Sequence, residues 1–255
     1  MKRSIIAVAA LLLLSVSAAS ADPGVKKPEV GIDDKIGNYI PLDARFYDEH
    51  GYLVTLKDVI TKPTILNFVY FKCPGICSPI LTELTTVVNK MDMEIGKDYQ
   101  IVTISFDETE KPDLAESKHE NYMALINHEI PKGAWKFLTG DSASIRSVTD
   151  AAGFYFTRQG KDFLHAGAII AVSPEGKIAR YLYGTQYLPF DVKMALVEAG
   201  EGKTGPTVNK LLRYCYSYNP EGRKYVMNVT RIAGAGMLVL VAGFVVFLTV
   251  KPKKR

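Results

Sequence analysis

Two apolar blocks close the ends of the chain, and shorter apolar segments alternate with polar ones between them. The first block, Ile5 to Leu14, follows Lys2-Arg3 and leads to the small residues Ala19-Ser20-Ala21 before Asp22-Pro23. A basic start, a short apolar centre and an A-x-A site predict a secretory signal peptide over 1–21. The competing reading, an uncleaved anchor, asks a short run to span a bilayer. The second block, Ile232 to Val250, holds 19 residues with no charge and Thr249 as its one polar side chain. At ~1.5 Å per residue it reaches about 28 Å, so a single transmembrane helix is expected over 231–250. A buried core helix seldom runs so far without a polar face. The basic tail 251–255, Lys251 to Arg255, is expected to stay in the cytoplasm. The chain then reads as a single-pass protein of the cell inner membrane, its globular part on the periplasmic side.

Between these blocks, residues 22–35 are rich in Pro, Gly, Lys and Asp and are expected to form a flexible leader, followed by one domain over 36–200 and a juxtamembrane segment over 201–230. Residues 37–58 read as short strands and turns, clearest at Tyr52 to Leu56. Thr64 to Phe71 is apolar and β-rich enough for a strand buried on both faces. Ser78-Pro79 opens a helix to about Met91, with Ile80, Leu81, Leu84, Val87 and Val88 at helical spacing. The alternation continues with a strand at Tyr99 to Ser105, a helix from Pro112 to about His128, a strand at Trp135 to Thr139 and a helix at Ser142 to Ala152. Phe154 to Thr157, Phe163 to Val172 and Ile178 to Tyr183 read as strands, and Pro189 to Ala199 as a helix. Strands alternating with helices and closing in a hairpin plus helix predict an α/β fold, a thioredoxin-like sandwich with an N-terminal β extension, carried on one C-terminal transmembrane helix.

Charge removes one class of function. The chain is formally +4, but Lys2, Arg3, Arg231 and the four basic residues of the tail account for seven positive charges, leaving residues 22–230 at −3. No basic groove is implied, and nucleic-acid binding drops out.

The chemistry concentrates in Cys73-Pro74-Gly75-Ile76-Cys77, where the buried strand runs into a turn and then a helix. A thiol at a helix N-terminus is favoured as thiolate by unpaired N–H groups and the helix dipole, which points to Cys77. Two other readings stand beside a functional pair. A structural disulfide suits an oxidising compartment, although so short a loop contributes only ~2 kcal/mol. Two unrelated core cysteines are the other, against which Pro-Gly places both at a surface turn. His165 approaches the apolar strand Ala168 to Val172, which in this topology runs beside the cysteine strand. A lone histidine is more often an ordinary surface or core group. Two thiolates with one imidazole, however, form a soft three-ligand set suited to copper, whereas structural zinc needs a fourth ligand. The three-residue spacing and the absence of proline from Arg158 to Ser173 depart from the pattern of thioredoxin-like reductases.

Phe68-Val-Tyr-Phe-Lys-Cys-Pro-Gly-Ile-Cys-Ser-Pro79, Ile104-Ser-Phe-Asp107 and His165 through Lys177 together resemble the SCO/SenC family of copper proteins over about residues 36–199. The resemblance implies a thioredoxin-like fold and one copper, Cu(I) or Cu(II), held by Cys73, Cys77 and His165. It implies a metallochaperone that serves the dinuclear copper centre of cytochrome c oxidase subunit II. A thioredoxin-like reductant would keep the cysteines open. Asp107 matches an acidic position the family keeps, with a solvated loop carboxylate as the alternative. Many relatives carry an acidic residue directly before the histidine, where this chain has Leu164, with Asp162 further back. The better-known relatives also have an N-terminal anchor. From the residues alone, a thiol–disulfide oxidoreductase using Cys73 and Cys77 is the second function, and a peroxidase-like thiol enzyme a third that lacks supporting motifs.

Met91 and Met93 could offer thioethers, but methionines ending an amphipathic helix are usually core filler. His50, His119 and His128 are expected to stay solvated. Asn228-Val-Thr230 fits a glycosylation sequon beside the membrane. Cys215, flanked by Tyr214, Tyr216 and Tyr218, is odd in number, and burial is its expected state, with an intermolecular disulfide or an auxiliary copper role as alternatives.

Overall fold

The computed structural model describes residues 29–205, the backbone of 216–219 and 224–227, and residue 237. The expected signal peptide and basic tail, and all of the expected transmembrane span but residue 237, lie outside these residues, as do Cys215 and Asn228. Among the described residues no helix is long and apolar enough to cross a membrane.

The chain enters through β1 (Gly31–Ile32), β2 (Arg45–Tyr47), β3 (Leu53–Thr55) and a single-turn helix α1 (Leu56–Val59). The leader was expected to be loose up to residue 35, but its end is tied down. Gly31 and Ile32 pair with Tyr155 and Phe154, and the Asp33 N–H donates to the Gly153 carbonyl at 2.8 Å. Gly153, at φ +61°, is required there, because a Cβ would lie 1.9 Å from the Asp33 carbonyl oxygen.

The centre is an alternating run of β4 (Thr64–Val69), α2 (Cys77–Lys90), β5 (Gln100–Ser105), α3 (Pro112–Met123), β6 (Trp135–Leu138) and α4 (Ser142–Ala151). Then come β7 (Phe154–Tyr155), the hairpin β8 (Thr157–Gln159) and β9 (Asp162–Leu164), the hairpin β10 (Ala168–Val172) and β11 (Ile178–Tyr183), and α5 (Pro189–Gly200). One five-stranded sheet orders these as β11-β10-β4-β5-β6. β4, β5 and β6 run parallel, with Ile65 beside Ile101 and Ile101 beside Trp135, while β10 and β11 are antiparallel. Every residue of β4, β5 and β10 is buried, as helices covering both faces require. The mixed α/β thioredoxin-like arrangement is therefore present. Beyond it, β12 (Tyr216–Asn219) and β13 (Lys224–Met227) form an antiparallel ladder.

Two expectations change. The helix read to His128 stops at Met123, because the Asn89 side chain bonds the Leu125 carbonyl and the Asn127 N–H, at 3.0 and 2.9 Å, and draws that backbone out of the helix. The strand read from Phe163 to Val172 is two strands broken at His165-Ala166-Gly167. At the break the Gly184 N–H donates to the Gly167 carbonyl at 2.9 Å, and a Cβ on Gly167 would meet the Gly184 carbonyl at 3.2 Å.

Candidate metal centre

Chain direction decides where a site can form. β4 lies between β5, which follows it through α2, and β10, which arrives from the far end of the domain, so the crevice at its carboxyl end is a topological switch point. Cys73 and Cys77 sit there, and the break before β10 brings His165 to the same place. One sulfur from each cysteine and one imidazole nitrogen lie within 4.8 Å of one another. This is the one cluster of three or more His, Cys, Asp or Glu ligand atoms among the described residues. It opens into a cleft of about 370 Å³ whose walls include Tyr70, Pro74, Gly75, Leu164 and Thr185.

The two cysteines are not equivalent. Both are free thiols, Cys73 half-buried and Cys77 buried, so the turn does not leave both at the surface as its Pro-Gly pair suggested. Cys77 opens α2, and the preceding Ile76 offers no side-chain cap. The Cys73 sulfur accepts the Gly75 N–H at 3.3 Å, in the turn just before the helix. A hydrogen bond from the Cys77 thiol, joined by the backbone N–H groups of Cys77 and Gly75, outweighs burial and holds the Cys73 thiol down to about 3. Burial and the neighbouring Cys73 sulfur push the Cys77 thiol up. The thiolate favoured by the helix end is therefore Cys73, not Cys77. A side chain four residues before the first turn can reach the N–H groups that a buried first residue cannot use.

His165 is 6 % exposed. Its Nδ1 lies 3.0 Å from the Ala166 carbonyl, which can only accept, so in the neutral ring the lone pair belongs to Nε2. That Nε2 faces the Cys77 sulfur at 3.5 Å. A backbone carbonyl thus fixes the ring, and Asp162 accepts the Tyr70 hydroxyl at 3.4 Å. Aromatic rings close round the imidazole, with Phe106 at 5.0 Å, Tyr70 at 6.0 Å and Phe154 at 6.1 Å between centroids. They dry its inner side and leave the cleft as its way out.

Two acidic residues follow β5. Asp107 is buried, and burial alone would raise its carboxyl. Hydrogen bonds from Thr109 and Arg158 outweigh that and hold it low, so it is not the solvated loop carboxylate of the alternative reading. Glu110, which sequence reasoning passed over, is 2 % exposed and accepts the N–H groups of Phe71 and Lys72 just before Cys73. Its one sequence signal was an acidic residue ahead of a helix-opening proline.

The remaining candidates fall elsewhere. Met91 and Met93 pack against the core as filler. His50 and His128 are exposed, whereas His119 is half-buried edge-on to Phe137 at 5.5 Å, and burial lowers its pKa.

A model of the SCO1/SenC family matches residues 40–195. The SCO1 protein homolog of Bacillus subtilis is 26% identical over 161 residues, 60% of this chain and 79% of that protein. The mitochondrial SCO1 homolog 1 of Arabidopsis thaliana is 29% identical over 144 residues, 54% of this chain and 40% of that protein. Among solved structures, an Aquifex aeolicus protein described as a candidate electron transfer protein matches with TM-score 0.60 at 29% identity, over 66% of this chain and 96% of that one. Arabidopsis ScoI with copper bound shares the fold, with TM-score 0.52 at 24% identity, over 66% and 99% of the two chains. The match of the family model across the core domain, over the same segment that brings two thiols and an imidazole together, makes this chain a member of the SCO1/SenC family.

Proposed function

We propose that this protein is a membrane-anchored copper metallochaperone. It takes one copper on Cys73, Cys77 and His165 and delivers it to the dinuclear copper centre of cytochrome c oxidase subunit II. The observation that carries this reading is the convergence of two sulfurs and an imidazole nitrogen at an open cleft. Two soft thiolates and one imidazole match copper in either oxidation state better than they match a hard cation. A three-ligand site with one half-buried member, Cys73, leaves a side from which an acceptor's ligands can displace it one at a time. The chain reaches the membrane through its C-terminal apolar block and works on the periplasmic side, with a thioredoxin-like partner keeping the cysteines reduced. Anaerobic mixing of the copper-loaded protein with the soluble domain of subunit II tests the delivery. Copper is expected to move to the acceptor, and retention by the donor at equal concentrations would contradict it.

The asymmetry of the two thiols favours a second use of the same site. A Cys73 thiolate beside a buried Cys77 thiol is the arrangement of an attacking and a resolving cysteine, so the reduced pair can also open a disulfide in the acceptor. His165→Ala separates the two uses: it removes a metal ligand and leaves both sulfurs in place.

A further inference from the structure

The cysteines and the histidine sit on separate arms, and one short segment holds both. It runs from Ser105, the end of β5, to Glu110. Glu110 accepts the Phe71 N–H through Oε2 at 2.7 Å and the Lys72 N–H through Oε1 at 2.8 Å, the two peptides that lead into Cys73. The Ser105 hydroxyl donates to the same Oε2 at 2.6 Å and accepts the Asp107 N–H at 3.2 Å, which ties the two ends of the segment together. Asp107 reaches the other arm by accepting Arg158 at 3.0 Å. Arg158 belongs to the β8–β9 hairpin, and its guanidinium lies 4.3 Å over the ring of Phe163, two residues before His165. Phe106, directly before Asp107, packs on the imidazole and, at 5.3 Å, on Phe163.

We propose that the segment 105–110 is a brace across the metal site, with Glu110 and Arg158 as positioning residues that set the spacing between the cysteine arm and the histidine arm. The inference rests on the copper reading of the site. Its physical basis is that both Glu110 oxygens face N–H donors. A carboxylate satisfies all three of its donors, whereas a glutamine must turn its NH2 toward one of the two peptide N–H groups and leave it unpaired. The cysteine arm then loses a fixed point. On the other arm, removing Arg158 takes away the hairpin's hydrogen bond to the segment and leaves the Asp107 carboxylate bonded to Thr109 alone. Neither residue touches the metal ligands, so their effect on metal passes through position.

The test uses the full-length protein and two variants, Glu110→Gln and Arg158→Gln. Cu(I) affinity is measured by competition with a colorimetric chelator, the Cu(II)–thiolate charge-transfer spectrum is recorded, and amide exchange at residues 71 and 72 is followed in metal-free protein. Each variant is expected to weaken copper binding by about tenfold and to shift the thiolate band. Glu110→Gln should also speed exchange at Phe71 and Lys72. Arg158 is partly exposed, so its variant folds and keeps the test open if Glu110→Gln does not. Parent-like affinity and spectrum in folded variants would overturn the brace, even with lowered thermal stability. A parent that binds no copper would sink the copper reading instead. The brace would then be judged by exchange alone, and unchanged rates at 71 and 72 in Glu110→Gln would overturn it.

Discussion

The Nε2 of His165 lies 3.5 Å from the Sγ of Cys77, across a sequence separation of 88 residues. Three local features produce that distance. β4 ends at the switch point of the sheet, α2 begins on Cys77, and the chain breaks its ladder at Gly167 so that His165 leaves the strand direction. Each is a backbone event, and the metal site is the place where they meet.

The unequal thiols predict an order of labelling. At about pH 5 the metal-free protein should react with iodoacetamide at Cys73 first, because that sulfur is half-exposed and held as thiolate, while Cys77 is buried and protonated. Peptide mapping after partial reaction checks it, and equal labelling would contradict the assignment.

Away from the site, Lys136 bridges two buried carboxylates, Asp48 at 3.1 Å and Glu49 at 2.9 Å. Lys136→Met leaves both without their counter-ion and should cost about 3 kcal/mol. Burial would raise the Asp48 carboxyl, but hydrogen bonds from Tyr52 and Lys136 hold it low. Burial would lower Lys136, but Glu49 and Asp48 hold it high. The Asp48 contribution is complete above its unfolded pKa of ~3.9 and disappears as pH falls through the lower folded value. The Lys136 contribution is complete below ~10.4 and disappears as pH rises through the higher folded value. Denaturant melts should therefore show a parent–variant gap that is flat from about pH 5 to 9 and narrows at both ends. A gap that widens in acid would contradict this.

The motif and the order of elements were legible in the sequence because both are local. Cys73-Pro-Gly-Ile-Cys77 after a mostly apolar strand marks a turn at that strand's carboxyl end, and His165 ahead of Ala168 to Val172 follows from strand pairing. Glu110 was not legible, since its meaning is two N–H groups 38 and 39 residues away. The rings of Tyr70, Phe106 and Phe154 come from three separate elements, and no spacing rule joins them. The choice between the thiols failed for a related reason: helix ends favour thiolates in general, but burial of the first residue decided this case.

The expected topology gives a direct outcome. Protease added to cells with an opened outer envelope should digest residues 22–230 and spare an epitope placed after Arg255. Loss of that epitope would reverse the orientation.

Cys215→Ser should leave copper stoichiometry at one and the pattern of non-reducing gels unchanged, because burial is the expected state of this odd cysteine. Loss of copper with the fold retained, or a parent dimer that the variant lacks, would make Cys215 part of the mechanism.

The most direct measurement is an anaerobic copper titration of the reduced protein beside His165→Ala, with circular dichroism to show that both are folded. The three-ligand account predicts one copper in the parent and, in the variant, binding weakened by about tenfold or more with the fold intact. Unchanged affinity in His165→Ala would contradict it and leave Cys73 and Cys77 as a redox pair.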